Sequence, residues 1–178
     1  MERCRIVFSG SGGQGIITAS ILLAEAAVLH EGLEATQSQS YGPEARGGSS
    51  RADVIIAKKQ ILFPNVIQPN VLICLSQEAY NKYSGIVRPG GILLSDSRFV
   101  ISQSKVDARQ IELPMYETVM AHLGRRIAFN MCMLGAVVGI TLLVSLQSVL
   151  KVLQTRVPAE FFEMNRKALE LGYGLAPN

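Results

Sequence analysis

A glycine-rich hexapeptide between two apolar runs constrains the fold of this chain more than any other sequence feature. It is Gly10-Ser11-Gly12-Gly13-Gln14-Gly15, it follows Ile6-Val7-Phe8, and it precedes an Ala/Leu/Ile-rich run from Ile16 to Leu29. This order of strand, glycine turn and helix gives a G-x-G-x-x-G pattern its structural meaning. The first glycine permits a tight turn, the second lets backbone approach a phosphate, and the third lets helix and strand pack closely. Because the N–H groups and the positive dipole end of the helix face this loop, we predict that residues 10–15 bind an anion.

Strand and helix patterns alternate along the first part of the chain, and helical patterns alone follow residue 115. Apolar or alternating runs predict strands at 5–9, 33–40, 51–57, 61–63, 71–76, 92–96 and 109–113. Helical patterns occupy 15–30, 77–83, 116–123, 127–143, 146–156 and 159–171. We therefore predict an α/β fold, a three-layer Rossmann-like domain with a mainly parallel sheet and C-terminal helices. No linker composition divides the chain, so residues 1–178 are expected to form a single domain.

Composition argues against several classes of protein. The formal charge is only +3 and the basic residues are scattered, which does not favour nucleic-acid binding; the pairs Lys58-Lys59 and Arg125-Arg126 are interpreted as solvated turns or helix ends. The three cysteines form no C-x-x-C pair, so we expect no metal site in this chain and a reducing cytoplasm as its location. A strand is predicted within a few residues of Met1, so we expect no targeting segment. The apolar stretch 127–144 contains Asn130 and is interpreted as a buried or partner-covered helix, not a membrane span.

A second loop is predicted to lie beside the glycine loop. A right-handed crossover places the second strand next to the first and pointing the same way, so both following loops leave the carboxyl edge of the sheet. In the second loop Arg46 offers a positive fork for phosphate or carboxylate, and Tyr41 offers a flat ring and a hydroxyl. Gly47 and Gly48 permit unusual backbone conformations. We predict that these four residues complete the anion site, the alternative being an ordinary polar surface loop.

Neither a dinucleotide site nor a catalytic set is complete in the sequence. A nicotinamide dinucleotide needs an acidic residue at the end of strand two, where this chain has Gln37-Ser38-Gln39-Ser40. His30 and His122 lie near predicted helix ends, and Asp96 has no histidine that the sequence ties to it. Ser9-Gly10-Ser11-Gly12 is out of phase with a nucleophile elbow. We therefore expect a binding edge without catalytic residues.

The two loops together resemble a known family. The hexapeptide 10–15, followed by Ser40-Tyr41-Gly42-Pro43-Glu44-Ala45-Arg46-Gly47-Gly48, is similar to the gamma subunit of 2-oxoacid:ferredoxin oxidoreductases. The resemblance continues through Pro64, the strand at 71–76, Pro89-Gly90-Gly91, and Asn130 with Leu134-Gly135. It therefore covers most of the chain.

The resemblance implies a subunit of an enzyme that oxidatively decarboxylates a 2-oxoacid to an acyl-CoA. The substrate would be 2-oxoglutarate, with pyruvate or a branched-chain oxoacid as alternatives. Thiamine diphosphate, Mg and iron–sulfur clusters would lie on alpha, beta and delta subunits, and ferredoxin would accept the electrons. This chain would bind no cofactor alone, close the catalytic core and help to hold coenzyme A, and it could form a homodimer when isolated. Two alternatives remain open: a stand-alone dinucleotide-binding reductase and an assembly scaffold.

Overall fold

The computed structural model describes residues 2–40 and 49–177. Six strands lie in these ranges: β1 Arg3–Ser11, β2 Glu34–Ser40, β3 Ser49–Ala57, β4 Val71–Cys74, β5 Gly91–Asp96 and β6 Ala108–Leu113. Six α-helices accompany them: α1 Ile16–His30, α2 Gln77–Tyr83, α3 Met115–Leu123, α4 Phe129–Thr141, α5 Leu146–Arg156 and α6 Ala159–Leu175. Short 3₁₀ turns follow α2 at Ser84–Ile86 and precede α4 at Arg126–Ala128.

The strands form one mixed sheet in the order β2-β3-β1-β4-β5-β6. β1, β4, β5 and β6 pair in parallel, whereas β3 runs antiparallel to both of its neighbours, β1 and β2. The predicted α/β class with a mainly parallel sheet is confirmed. The prediction that strand two lies directly beside strand one is wrong, because β3 occupies that position. Only eight residues separate β2 from β3, too few for a crossover, so β3 must return antiparallel.

Helices cover both faces of the sheet, as a three-layer arrangement requires. In β1 the side chains alternate between two cores: Ile6 and Phe8 pack on the side of α1 and α4, and Val7 packs on the side of α2. The first core also takes in α3, α5 and α6, so it is much the larger. This alternation fixes the register of β1, since a shift of one residue would exchange the two faces.

Two helices of the larger core cross with backbone in contact with backbone. A methyl group built on Gly135 of α4 would overlap the carbonyl oxygen of Leu169, and one on Gly172 of α6 would overlap that of Cys132. These glycines therefore allow α4 and α6 to approach without intervening side chains. None of the described helices has the length and apolar character needed to cross a membrane.

Short polar contacts set the helix ends. Ser76 and Ser145 accept N–H groups at the starts of α2 and α5, at 3.2 and 3.1 Å, as expected of N-cap serines. Glu31, just beyond α1, accepts from the Ser145 N–H and the Ser148 hydroxyl, both at 2.7 Å. Its carboxylate therefore joins the end of α1 to the start of α5.

The predicted strand at 61–63 is wrong. Residues 58–70 form irregular chain, in which Leu62 and Phe63 are exposed and Pro64 lacks the N–H that a ladder needs.

Candidate functional site

The glycine loop joins β1 to α1 at the carboxyl edge of the sheet, and Gln14 holds it in shape. The Gln14 Oε1 accepts from the Ser11 N–H at 2.7 Å, and its Nε2 donates to the Leu75 carbonyl at 3.0 Å. A side chain at Gly10 would meet this amide, because its Cβ would lie 2.5 Å from Oε1. These two bonds brace the loop against the end of β4. Gln14 also lines the cavity over the loop, and its part in anion binding stays a prediction.

The other glycines of the loop have distinct tasks. Gly12 and Gly13 face open space, because a Cβ at either residue would have no atom within 4 Å, so a ligand can approach their backbone. Gly13 and Gly15 have positive φ angles of 82° and 71°, which favour glycine. A Cβ on Gly15 would lie 2.8 Å from the Cβ of Asn130. Gly15, the third glycine of the pattern, thus permits close packing of the loop against α4. The sequence pattern alone predicts that this glycine permits packing of helix against strand.

A cavity of about 560 Å³ opens over this loop. The loop forms part of its wall, and another part carries three aromatic rings, Phe99, Tyr116 and Phe129. Their centroids lie 5.0 to 6.0 Å apart in edge-to-face pairs, a stable aromatic arrangement. The cavity therefore combines backbone N–H groups with an apolar aromatic surface.

The electrostatic character of the cavity is positive. Arg126 lines it, and α1 begins beside it with Gly15 as N-cap, which has no side chain to satisfy the first N–H groups. Arg98 does not line the cavity: its guanidinium lies 5.2 Å from the Tyr116 ring centre and is paired with the Glu117 carboxylate at 3.8 Å. No described residue lining the cavity is an aspartate or a glutamate. The arrangement suits an anion that carries a planar or apolar group.

Asp96, at the end of β5, positions the aromatic wall. Its Oδ1 accepts from the Arg98 N–H at 2.9 Å and its Oδ2 accepts from the Tyr116 N–H at 2.8 Å. Burial raises the pKa of this carboxyl above its ordinary value, and the two backbone N–H bonds oppose that change. Both oxygens are thus occupied in holding the turn after β5 to the start of α3, a positioning role.

Four predicted site residues, Tyr41, Arg46, Gly47 and Gly48, lie outside the described residues. The ends of their segment are described: Ser49 pairs with Ser11 across β3 and β1, and Ser40 pairs with Arg51. Ser40 and Ser49, the described residues on either side, therefore lie at the sheet edge that carries the glycine loop. The participation of its side chains in the site stays a prediction.

Six residues that line the cavity are not among the predicted site residues: Phe99, Tyr116, Arg126, Ile127, Phe129 and Asn130. Arg126 does mark a helix end, as interpreted, but it also faces the cavity. The sequence marks Asn130 as a polar residue in the apolar stretch 127–144 and through the family resemblance, but not as a site residue. The aromatic residues carry no spacing signal, because they come from three separate segments.

The described residues contain no cluster of three or more His, Cys, Asp or Glu side chains suited to a metal ion. Cys4, Cys74 and Cys132 are free and buried, on β1, β4 and α4. Burial raises the pKa of the Cys74 and Cys132 thiols to about 12 and that of Cys4 to about 11. These thiols are therefore protonated at neutral pH and act as small core residues.

Comparison with known proteins gives a consistent result. The 2-oxoglutarate synthase subunit KorC of Methanocaldococcus jannaschii is 42% identical over 176 residues, covering 98% of this chain and 94% of the relative. The pyruvate synthase subunit PorC of Methanothermobacter marburgensis is 31% identical, covering 94% of both chains. The crystal structure of the keto/oxoacid ferredoxin oxidoreductase gamma subunit from Geobacter sulfurreducens PCA is 40% identical, with a TM-score of 0.90 over 98% of this chain and 97% of that one. The family described as pyruvate ferredoxin/flavodoxin oxidoreductase matches residues 5–175, and the chain therefore belongs to this family.

Proposed function

We propose that this chain is the gamma subunit of a multi-subunit 2-oxoacid:ferredoxin oxidoreductase that converts 2-oxoglutarate to an acyl-CoA. The observation that carries the proposal is the 42% identity to a 2-oxoglutarate synthase subunit along nearly the whole of both chains. Identity to the pyruvate synthase subunit is lower, at 31%, which favours 2-oxoglutarate over pyruvate. We place the enzyme in the cytoplasm, with ferredoxin as the electron acceptor.

The chemistry of decarboxylation belongs, in this proposal, to partner subunits of alpha, beta and delta type. They would hold thiamine diphosphate with Mg, and the iron–sulfur clusters. The three cysteines of this chain are consistent with that division of labour, because Cys74 packs in the smaller core, on the opposite face of the sheet from Cys4 and Cys132. This chain contributes binding and closure of the catalytic core.

The cavity over the glycine loop is proposed to hold part of coenzyme A. Coenzyme A carries a diphosphate and an adenine, and the cavity offers open backbone at Gly12, the Arg126 guanidinium and three aromatic rings. Backbone N–H groups at a helix start and an arginine suit phosphate oxygens, and aromatic rings suit the adenine plane. Arg46 and Tyr41 of the second loop would add to the same site.

A stand-alone dinucleotide-dependent reductase is less well supported. In such enzymes an acidic residue at the end of strand two holds the ribose next to the glycine loop. Here β2 ends in Gln37-Ser38-Gln39-Ser40, and β3 separates it from β1. Even an acidic residue at that end would lie one strand too far away.

The proposal is tested first by purifying the chain from its own cells without oxygen. We expect a larger assembly that contains thiamine diphosphate and iron. A lone monomer or homodimer without these cofactors would refute the subunit assignment, and tight saturable NADH binding would then favour the reductase.

The coenzyme A role is tested in the assembled enzyme with Arg126→Ala and Gly12→Val, and with Arg46→Ala for the second loop. Loss of a hydrogen bond to a charged group costs about 1.5–3 kcal/mol, so the KM for coenzyme A should rise roughly tenfold or more. Arg125→Ala is the matched control, because this neighbouring arginine does not line the cavity. An unchanged KM in all three variants would favour the scaffold alternative.

A further inference from the structure

A second cationic depression lies at the opposite edge of the sheet from the glycine loop. Arg3 and Arg5 of β1 line it with Arg88, which precedes β5, and the apolar side chains of Phe63 and Ile67 line it as well. We call this set of five residues the arginine groove. Its volume is about 910 Å³, larger than that of the cavity over the glycine loop. Nothing in the proposed binding of coenzyme A uses it.

The arginine groove is built on fixed backbone. The Arg5 N–H donates to the Asn70 Oδ1 at 2.9 Å, and the Asn70 N–H donates back to the Arg5 carbonyl at 2.8 Å. The Arg88 N–H donates to the Pro69 carbonyl at 3.1 Å. Two of the three arginines are therefore held against the same dipeptide, and Arg3 lies on the same face of β1 as Arg5 by strand alternation.

The apolar side of the arginine groove is exposed although its segment is anchored. Val66 is buried in the smaller core, and its carbonyl accepts from the Arg51 Nη2 at 2.7 Å. On either side of this anchor, Phe63 is 77% and Ile67 is 81% exposed. The chain thus holds two large apolar side chains in water on a fixed segment, which is typical of a surface that another molecule covers.

The positive charge of the arginine groove is uncompensated within the described part of the chain. Arg3, Arg5 and Arg88 form no ion pair with any described carboxylate, and no aspartate or glutamate is among the lining residues. A second copy placed on the same surface by a two-fold axis would bring arginines against arginines. Charge complementarity therefore favours a partner that supplies carboxylates.

We propose that the arginine groove is a docking site for an acidic segment of another subunit of the same assembly, one that places an apolar side chain between at least two carboxylates. This inference rests on the proposed function for the presence of other subunits. The carboxylates pair with the arginines, and the apolar side chain packs on Phe63 and Ile67. The concave shape fits a protruding peptide segment better than the flat surface of an anionic membrane.

The test places a photoreactive benzoylphenylalanine at Phe63 or Ile67 of the full chain in its own cells. After irradiation, the crosslinked peptide is identified by mass spectrometry. The expected product joins this chain to a partner-subunit peptide with two or more Asp or Glu residues at the crosslink. A product with lipid, with a second copy of this chain, or with a segment that lacks carboxylates would overturn the proposal, as would no product at either position.

Charge reversal makes the test specific. Arg5→Glu and Arg88→Glu should lower the yield of the Phe63 crosslink at least about tenfold, since like charges would then face the partner. Lys151→Glu is the control, because it reverses an exposed charge on α5 and should leave the yield unchanged. An assembly that retains thiamine diphosphate and iron but gives none of these effects would refute the docking site and leave the proposed function standing.

Discussion

Replacement of Gly172 by alanine should destabilise the chain, whereas the same replacement at Gly174, two residues along the same helix, should stabilise it. A Cβ at Gly172 would overlap the Cys132 carbonyl oxygen and lie 2.9 Å from the Cys132 Cα. A Cβ at Gly174 would have no atom within 4 Å. The pair isolates the α4–α6 crossing, because the chemical change is identical at both positions.

The magnitudes follow from two opposing effects. Alanine favours a helix over glycine by up to about 1 kcal/mol, and this gain applies to both variants, somewhat reduced for Gly174 near the helix end. Overpacking costs about 1–3 kcal/mol, and the upper end applies at Gly172 because the obstacle is backbone that no side-chain rotation can move. The net result is a loss of roughly 2 kcal/mol for Gly172→Ala and a gain of up to about 1 kcal/mol for Gly174→Ala.

Thermal unfolding of the full chain, followed by circular dichroism, measures both effects. For a chain of this size about 1 kcal/mol corresponds to 2–4 °C, so Gly172→Ala should lower Tm by roughly 4–8 °C. Gly174→Ala should raise Tm by up to about 4 °C. A Gly172→Ala variant as stable as the wild type would show that α4 and α6 do not approach as closely as described.

Three further changes probe the loop and the helix ends. Gly15→Ala should lower the free energy of unfolding, measured in urea, by about 3 kcal/mol, because of the positive φ and the clash with Asn130. Adding Asn130→Ala to the same chain should restore part of this loss. Gln14→Leu leaves the Ser11 N–H and the Leu75 carbonyl without this partner and should lower the free energy of unfolding by about 2 kcal/mol. A decrease under about 0.5 kcal/mol would contradict the bracing role. Glu31→Ala should cost about 1 kcal/mol at pH 7. Hydrogen bonds from two serines lower the Glu31 pKa in the folded chain. The stability difference between wild type and Glu31→Ala should therefore persist above pH 4.5 and shrink as the pH falls through the lowered pKa. A stability difference that does not change with pH would contradict this role of Glu31.

The position of β3 shows that the sequence contains information on strand order that the motifs alone do not use. Pattern and turn residues correctly located β1 and all six described α-helices to within a few residues. The order of strands was missed although two signals for it exist. Residues 52–57 are apolar almost throughout, as a central strand requires, and residues 34–40 are polar, as suits an edge. Together with the short connection, they place β3 between β2 and β1.

The cavity was only half predictable, for a physical reason. The glycine loop is local, so its turn and its open backbone follow from six consecutive residues. The aromatic wall forms only when β5, α3 and α4 pack together. The buried Asp96 carboxyl group holds the Tyr116 N–H, and its backbone carbonyl accepts from the Phe99 N–H. Contacts between residues so far apart in sequence arise from the tertiary fold, which no single-sequence pattern encodes.

The strand order also has a consequence during biosynthesis. β1 is the central strand of the sheet, yet its two neighbours, β3 and β4, are synthesised later, and Val7 pairs with Leu72, a separation of 72 − 7 = 65 residues. At ribosomal rates of about 5–20 residues per second, the fully apolar Ile6-Val7-Phe8 run waits roughly 3–13 s for that partner. The nascent chain therefore exposes this largely buried strand longer than any later one, and this interval is where a chaperone would act to greatest effect.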